Sequence, residues 1–306
     1  MRRGIFYMVA AVFVFASVNA LVKWEVALYP VTEVVFFRCL FALIPCTLLM
    51  ATHGGLAALR TSKLGEHFTR AIAQFGSMFC IFTAFGMMPL ADAVAITFSN
   101  PLFLTVLSIP LLGEKVGRHR WGAVLVGFVG VLIMTQPGAG VLNAGAFFAL
   151  ANAAIGAFVT TAIRRMSVTE APTTLVVYQV GFNALFATLL LPFGWTTPTL
   201  ADAAILALIG LGSGVGQYWW TQAFRLAPAA VNAPFSYTAM VWAVMFGYLL
   251  WGDVPTPALL AGAAVVVTSG LYILYREALR RQGKVPAPLA AIGTASPVSG
   301  SPVLRE

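Results

Sequence analysis

The sequence predicts an all-α membrane protein in which ten transmembrane helices form two inverted five-helix repeats. Three observations predict this fold: ten apolar stretches of similar length, cations that occupy alternate gaps between them, and a likeness between the two halves of the chain. Composition agrees, since 60% of the residues are hydrophobic and 9% are charged, whereas about 25% are charged in a typical soluble domain.

Each apolar stretch is close to the ~20 residues that an α-helix needs to cross the hydrocarbon of a bilayer. In chain order the stretches cover 4–22, 31–51, 69–88, 90–111, 120–136, 144–163, 172–193, 202–223, 229–250 and 256–275. Together they use about two thirds of the chain, so no folded soluble domain is expected. The segment 283–306 is rich in Pro, Ser, Gly and Ala and predicts a disordered tail.

The cations indicate how the helices are oriented. Sixteen of the 18 Lys and Arg residues precede the first stretch, follow the last or lie in every second gap, and the exceptions are Lys23 and Arg38. By the positive-inside rule both termini are expected in the cytoplasm, in a bacterial-type inner membrane. The net charge of +8 then faces anionic membrane lipids on short loops, and nucleic acid is not expected as a partner.

The two halves of the chain resemble each other. A shift of 139 residues places the fourth stretch on the ninth, with Phe98 on Tyr237 and Glu114 on Asp253. Such a run of matches at the same element ends indicates duplication. The predicted repeats run over 4–136 and 144–276. Because each has an odd number of helices, the second enters the membrane in the opposite sense, and the halves are expected to pack about a pseudo-two-fold axis in the membrane plane.

Several short motifs lie within the predicted helices and at their ends. They are Pro30 with Arg38, Pro89-Leu90, Leu112-Gly113-Glu114, Arg120-Trp121-Gly122, Gly127 to Val131, Pro228, Trp251-Gly252-Asp253, and Gly262 to Gly270. Over residues 4–275 this set resembles the EamA-type branch of the drug/metabolite transporter superfamily. The resemblance implies a ten-helix transporter that exports amino acids and other metabolites or imports vitamins or nucleoside-like compounds. It also implies a central cavity lined by the first four helices of each repeat, with each fifth helix peripheral.

Arg38 is the leading candidate for a functional residue inside the membrane, about seven residues into the second stretch. A cation at the bilayer centre costs about 2.5–3.5 kcal/mol on insertion scales, so it should face a cavity or a partner. Glu33 and Asp92 are candidate partners. Arg38 is either an anion-binding or gating residue on the substrate path, or a structural ion pair or a side chain that reaches the outer surface. A shift of 142 residues places Val180 opposite it, so no symmetric arginine exists.

Asn100-Pro101 lies near the middle of the fourth stretch. Proline has no N–H, so the carbonyl of Thr97 loses its helical partner. Next to Ser99 and Asn100, this carbonyl predicts a polar spot at the depth where transporters bind substrate, and a kink tolerated for packing is the alternative.

Two further asparagines are cavity candidates. Asn19 lies in the first stretch and Asn152 in the sixth. Hydrogen bonding between helices is the alternative role for each.

The seventh to ninth stretches supply the remaining cavity candidates. Gln217 follows a glycine-rich run that either permits close helix packing or unwinds to bind substrate. Tyr178 and Tyr237 lie away from the stretch ends and are candidates to stack on a planar or cationic ligand, the alternative being lipid contact and core packing. Glu114 and Asp253 close the fourth helix of each repeat, either as matched elements of two gates or as solvated helix ends.

Taken together, these features predict a secondary transporter of a small organic metabolite, such as an amino acid, riboflavin or S-adenosylmethionine. No nucleotide-binding motif is present, so ATP cannot drive transport directly. Neither an enzyme nor a metal or cofactor site is predicted, since His53, His67 and His119 lack metal-ligand spacing. A monomer is expected because one chain holds both repeats. A lipid flippase or a non-transporting membrane partner protein is the alternative.

Overall fold

The computed structural model describes residues 2–52, 55, 59–113, 116–136, 144–227 and 229–281. Within these ranges every regular element is helical. The α-helices are α1 Arg2–Glu25, α2 Val31–Thr52, α3 Leu64–Met87, α4 Leu90–Thr97, α5 Asn100–Leu112, α6 Arg118–Thr135, α7 Ala144–Met166, α8 Pro172–Leu190, α9 Leu200–Leu226, α10 Ala229–Ser236, α11 Thr238–Trp251 and α12 Pro257–Arg281, with a 3-10 helix at Leu191–Phe193 after α8. Glu114 and the tail 283–306, on which two predictions fall, lie outside the described residues.

Eight helical segments among the described residues are long and apolar enough to cross a membrane. They are α1, α2, α3, the α4–α5 pair, α7, α8, α9 and α12. The other two predicted spans are also helical: α6 has 18 residues that begin with Arg-His-Arg, and α10 and α11 are consecutive helices of 8 and 14 residues. The chain is therefore an all-α, multi-pass membrane protein.

The fourth and ninth predicted spans are each interrupted near their middle. Between α4 and α5, the backbone N–H groups of Phe98 and Ser99 donate to carbonyls three residues back, at 3.1 and 3.0 Å, instead of four. The interruption thus precedes Pro101, which occupies the first turn of α5, where a missing N–H costs little. Tyr237, which the repeat places on Phe98, separates α10 from α11 in the same way, so both repeats contain this break.

The two repeats interleave. Helix α1 packs against α9, α10 and α11 of the second repeat, and its counterpart α7 packs against α3, α4 and α5 of the first. Helix α2 packs against α8, and α6 packs against α12. If α1 to α6 are exchanged in order with α7 to α12, each of these contacting helix pairs becomes a pair that is also in contact. A pseudo-two-fold axis between the repeats produces this pattern.

Glycines permit the closest of these approaches. A Cβ built on Gly130 of α6 would lie 2.9 Å from the carbonyl oxygen of Gly262 in α12, so the two backbones meet directly. In α9, Gly210 lies against Phe41 and Gly214 against Pro45, both on α2. Helix α9 continues unbroken from Leu200 to Leu226, so its glycine-rich run serves close packing rather than unwinding.

The two ends of the bundle differ in the charged residues that they carry. The end at which α1 and α3 begin, termed the basic side, carries Arg3, Arg60, Lys63, Arg118, Arg120, Arg164 and Arg165. Its loops contact one another through Thr61, whose hydroxyl donates to Glu170 at 2.9 Å, and Arg165, which lies 3.8 Å from Glu66. The opposite end, termed the acidic side, carries Glu25, Glu33, Asp92, Asp202 and Asp253 at or near its helix ends.

Candidate functional site

Two adjoining cavities lie between the repeats. Cavity 1 has a volume of about 220 Å³ and lies among α2, α3, α7, α8 and α9. Cavity 2 has a volume of about 500 Å³ and is lined by α1, α3, α4, α5, α7 and the second repeat's α9 to α12. Gln74 and Ile163 line both cavities, so the two form neighbouring parts of one polar region.

The cavities reach toward the basic side and are sealed from the acidic side. Ile163, which lines both, lies three residues before α7 ends at that side. In the acidic half, a continuous cluster of buried apolar side chains fills the bundle. Val22, Val34, Phe85 and Leu206 belong to it, and Leu90 of the same cluster also lines the acidic-side end of cavity 2. The structure is therefore closed at one end and hollow toward the other.

Lys23 reinforces the sealed end. Its ammonium donates to the carbonyl oxygens of Met88 at 2.8 Å and Phe85 at 3.3 Å, and lies 5.3 Å from the centre of the Trp251 ring. The two carbonyls belong to the C-terminal end of α3, where the helix dipole favours a cation. Lys23 thus holds α1, α3 and the end of α11 together.

A second set of polar contacts joins the loops of the acidic side. The Tyr29 hydroxyl donates to the Asp202 carboxylate at 2.6 Å, and the Thr196 backbone N–H donates to Glu33 at 2.9 Å. Both contacts connect the α1–α2 junction of the first repeat with the α8–α9 region of the second. Hydrogen bonding to the Asp202 carboxylate raises the pKa of the Tyr29 phenol above its ordinary value.

Arg38 lines cavity 1 from α2. Its Nε donates to the Ser213 hydroxyl at 3.0 Å, one terminal nitrogen contacts the Met78 sulfur, and the guanidinium lies 5.5 Å from the centre of the Phe82 ring. In the described part of the chain no carboxylate forms an ion pair with it. The expected partner Glu33 instead accepts a bond from Thr196, so Arg38 faces the cavity as an uncompensated cation.

Amide side chains make up much of the polar lining of cavity 1. Gln217 is exposed there, and it is joined by three amides that sequence reasoning missed, Gln74, Gln179 and Asn183. Asn183 is 7% exposed, and its Oδ1 has no hydrogen-bond partner among the described residues. Each of these three is a polar residue within an apolar stretch, and this is the signal by which the sequence could have identified it. Whether such a side chain faces the cavity depends on how the helices pack.

Arg70 positions one of these amides. It is fully buried in α3 and donates to the side-chain oxygen of Gln179 and, at 2.6 Å, to the carbonyl of Leu175 in α8. Because the Gln179 oxygen is occupied, its NH₂ group is the part left for the cavity. Arg70 therefore links the two repeats and orients a cavity donor.

Cavity 2 gathers most of the remaining sequence candidates. Asn19, Asn100, Asn152, Pro101 and Tyr237 all line it. The asparagines on α5 and α7 also bridge helices: Asn152 Nδ2 donates to the Ser77 carbonyl at 2.8 Å, and Asn100 Nδ2 donates to the Ala153 carbonyl at 3.0 Å. Both asparagines therefore line the cavity and also bond to another helix, which for Asn152 is the interhelical role given above as the alternative.

The break positions of the two repeats meet at this cavity. The rings of Phe98 and Tyr237 lie 5.0 Å apart, and both line cavity 2. Asn19 makes no side-chain hydrogen bond to any described residue, and the carbonyl of Thr97 faces a proline that has no N–H. The cavity thus offers aromatic surface together with open donors and acceptors.

Three sequence candidates lie outside both cavities. The Tyr178 hydroxyl donates to the Leu59 carbonyl at 2.8 Å, and its ring stacks on His67 at 4.6 Å, at the basic side. The Ser99 hydroxyl is fully buried and donates to the Ile96 carbonyl at 2.7 Å. Asp253 follows α11 at the acidic side, where one carboxylate oxygen is buried without a partner among the described residues.

Comparison with known proteins gives the same architecture. The model of the EamA-like transporter family matches residues 2–136 and 143–276, once for each repeat. A solved crystal structure at 19% sequence identity superposes with a TM-score of 0.62 and covers 95% of this chain and 99% of its own, which shows a shared fold.

Several characterised relatives are transporters. A riboflavin transporter of Rhizobium johnstonii is 29% identical over 92% of this chain and 93% of its own length. The pseudopaline exporter CntI of Pseudomonas aeruginosa is 30% identical over 88% and 95%, and an S-adenosylmethionine uptake transporter of Rickettsia bellii is 28% identical over 80% and 84%. With two family matches that span the helical part of the molecule, this chain belongs to the EamA-like transporter family.

Proposed function

We propose that this chain is a secondary transporter that moves a small organic metabolite by alternating access, without converting it chemically. The observation that carries the proposal is the pair of cavities between interleaved repeats, hollow toward the basic side and sealed at the acidic side. The helix contacts within one repeat arrangement have equivalents in the other. The packing that seals the acidic side therefore has an equivalent that is able to seal the basic side. The solute would then meet each side in turn.

The proposed substrate site consists of the sequence candidates that line the cavities. They are Arg38 and Gln217 in cavity 1, and Asn19, Asn100, Asn152 and Tyr237 in cavity 2. The break before Pro101 supports this assignment, because non-helical backbone inside a membrane is tolerated where it faces a cavity. In this proposal Ser99 and Tyr178 contribute to helix packing and do not contact the solute. Asp253 belongs to the gate at the acidic side, and Glu114 is its counterpart in the other repeat.

We further propose that the basic side is cytoplasmic, with both termini there, in a bacterial-type inner membrane. The support is the positive-inside rule applied to the short loops that the structure collects on one end. On this orientation the conformation described above is open toward the cytoplasm. One chain supplies both repeats and both cavities, which supports transport by a monomer.

The relatives supply three starting points for the substrate: riboflavin, S-adenosylmethionine and pseudopaline. The purified protein would be screened for thermal stabilisation by these compounds, aromatic amino acids, nucleosides and cationic drugs. A ligand at a hundredfold excess over its Kd stabilises the native state by about 2.7 kcal/mol. Each compound that shifts the midpoint would then be tested for saturable uptake into proteoliposomes. Saturable uptake supports the proposal, and a complete absence of uptake for every compound that binds would contradict it.

A further inference from the structure

The two cavities have an unusual charge balance. Among the described residues that line them, Arg38 is the single charged side chain, and no Asp, Glu or Lys contributes. The other polar lining groups are neutral amides and hydroxyls. A cation with no nearby anion raises the local potential inside a low-dielectric cavity, so the site as built attracts negative charge and repels positive charge.

Arg38 also retains hydrogen-bonding capacity. A guanidinium has five N–H donors in a planar fork and keeps its charge at any physiological pH. Of these donors, one bonds Ser213 and another contacts the Met78 sulfur. The remaining donors have no partner among the described residues. Ser213 itself donates to the Ile209 carbonyl at 2.7 Å, so its hydroxyl is fixed and holds the Arg38 side chain at the cavity wall.

We infer that the transported solute is a monocarboxylate, whose carboxylate pairs with Arg38 in cavity 1 and whose uncharged body extends into cavity 2. This inference rests on the proposed transport function. A carboxylate matches the planar guanidinium fork with two parallel hydrogen bonds. A phosphate monoester would bring close to two negative charges to a site with one cation, and its excess charge would be buried without compensation.

The neighbouring groups fit the same solute. Gln217, and Gln179 through its free NH₂, lie beside Arg38 in cavity 1 and supply neutral donors to carboxylate oxygens. Gln74, shared by both cavities, marks the passage to Phe98, Tyr237 and Asn19 in cavity 2. In cavity 2, an uncharged polar or planar part of the solute would contact amide groups and aromatic rings. Among the described residues no carboxylate lines either cavity, so an organic cation lacks an ion-pair partner there and is disfavoured relative to a carboxylate.

The test uses acids paired with neutral analogues of nearly equal shape: nicotinate with nicotinamide, indole-3-propionate with its primary amide, and pantothenate with panthenol. Affinities are measured by thermal stabilisation of the purified full-length protein. The acids are expected to bind at least about tenfold more tightly than their neutral partners, since a charge-assisted bidentate pair is stronger than a neutral hydrogen bond.

Three variants assign the preference to Arg38. Arg38→Gln removes the charge and should abolish the tenfold difference, whereas Arg38→Lys keeps the charge without the fork and should retain a smaller one. Arg118→Gln removes an equal charge from an exposed position at the basic side and should leave the preference unchanged. Equal affinity of acids and neutral partners for the unmodified protein, or an acid preference that survives Arg38→Gln, overturns the inference.

Uptake into proteoliposomes separates this inference from the proposed function. Saturable uptake of a neutral or cationic compound, at equal rates in the unmodified protein and in Arg38→Gln, leaves the transport proposal intact and overturns the carboxylate assignment. Tight, Arg38-dependent binding of carboxylates without uptake of any of them contradicts transport instead.

Discussion

Tyr178 and Tyr237 show at the residue scale what the sequence left open. Both are tyrosines inside apolar stretches, yet Tyr237 lines cavity 2 while Tyr178 bonds the Leu59 carbonyl near the basic side. Apolar stretches show how long a helix is and where it lies in the chain. They do not show which face of the helix points toward a cavity, because apolar residues occupy all of its faces and form no single stripe. Whether a polar side chain reaches a cavity is therefore decided by packing between repeats.

The two tyrosines make a matched pair of variants. Tyr237→Ala removes aromatic surface from cavity 2, and loss of a stacking contact worth about 1 kcal/mol should raise KM about fivefold. Tyr178→Ala should leave KM unchanged and lower the thermal midpoint, because its hydroxyl and ring contact only protein groups at the basic side. Transport kinetics and unfolding curves of both variants test this assignment, and a KM effect confined to Tyr178→Ala would reverse it.

The Ser77–Asn152 pair is expected to matter for stability. Asn152 Nδ2 donates to both the carbonyl and the hydroxyl of Ser77, at 2.8 and 2.9 Å. Asn152→Leu leaves Ser77 partly unsatisfied and should lower the free energy of unfolding by about 1–3 kcal/mol. A double-mutant cycle with Ser77→Ala isolates the interaction. Because Ser77→Ala keeps the backbone carbonyl, two losses that simply add would mean that the contacts of the Ser77 hydroxyl do not couple α3 to α7.

At the scale of helices, the number and order of elements could be predicted, because span length and alternating charge are local properties. The position of the breaks was less accessible. Pro101 indicated a disturbance in the fourth span, but the interruption lies just before it, at Phe98 and Ser99. The matching break at Tyr237 has no proline at the equivalent position. Its nearest proline, Pro234, lies inside α10 three residues before the break, so the local signal is displaced relative to that of the first repeat.

The α6–α12 contact provides a test at this scale. A Cβ on Gly130 would lie 2.9 Å from both the Gly262 carbonyl oxygen and a Val265 side-chain carbon, whereas a Cβ on Gly122 of the same helix meets nothing within 4 Å. Gly130→Ala should therefore lower the thermal midpoint. Gly122→Ala should keep or raise it, because alanine favours a helix by about 1 kcal/mol over glycine. Equal effects of the two substitutions would mean that α6 and α12 are not in backbone contact.

At the scale of the whole molecule, the inverted repeat could be predicted from a 139-residue shift and an odd helix count. The interleaving of the repeats could not, since which helix of one half packs on which of the other depends on non-local contacts. This interleaving explains why one end is sealed by residues of both repeats. It also places Lys23, an exception to the charge pattern, against Trp251 of the second repeat.

Lys23 is expected to stabilise the conformation that is closed at the acidic side. Lys23→Met keeps a long side chain but removes the bonds to Phe85 and Met88, so the acidic end should open more often. A cysteine at Val34, a buried member of the apolar cluster near the start of α2, would then react faster with a membrane-impermeant maleimide added at that side. Lys63→Met, which alters a basic-side contact with Glu66, is the control and should leave that rate unchanged.

Reciprocal accessibility tests the alternating-access account most directly. In a background with the three native cysteines replaced, Gln217→Cys in cavity 1 and Val34→Cys in the sealed half are labelled in vesicles of known orientation. The account predicts that the Gln217 position reacts from the basic side while the Val34 position is protected, and that saturating substrate changes the two rates in opposite directions. Rates that rise or fall together, or a Gln217 position that reacts only from the acidic side, would contradict it.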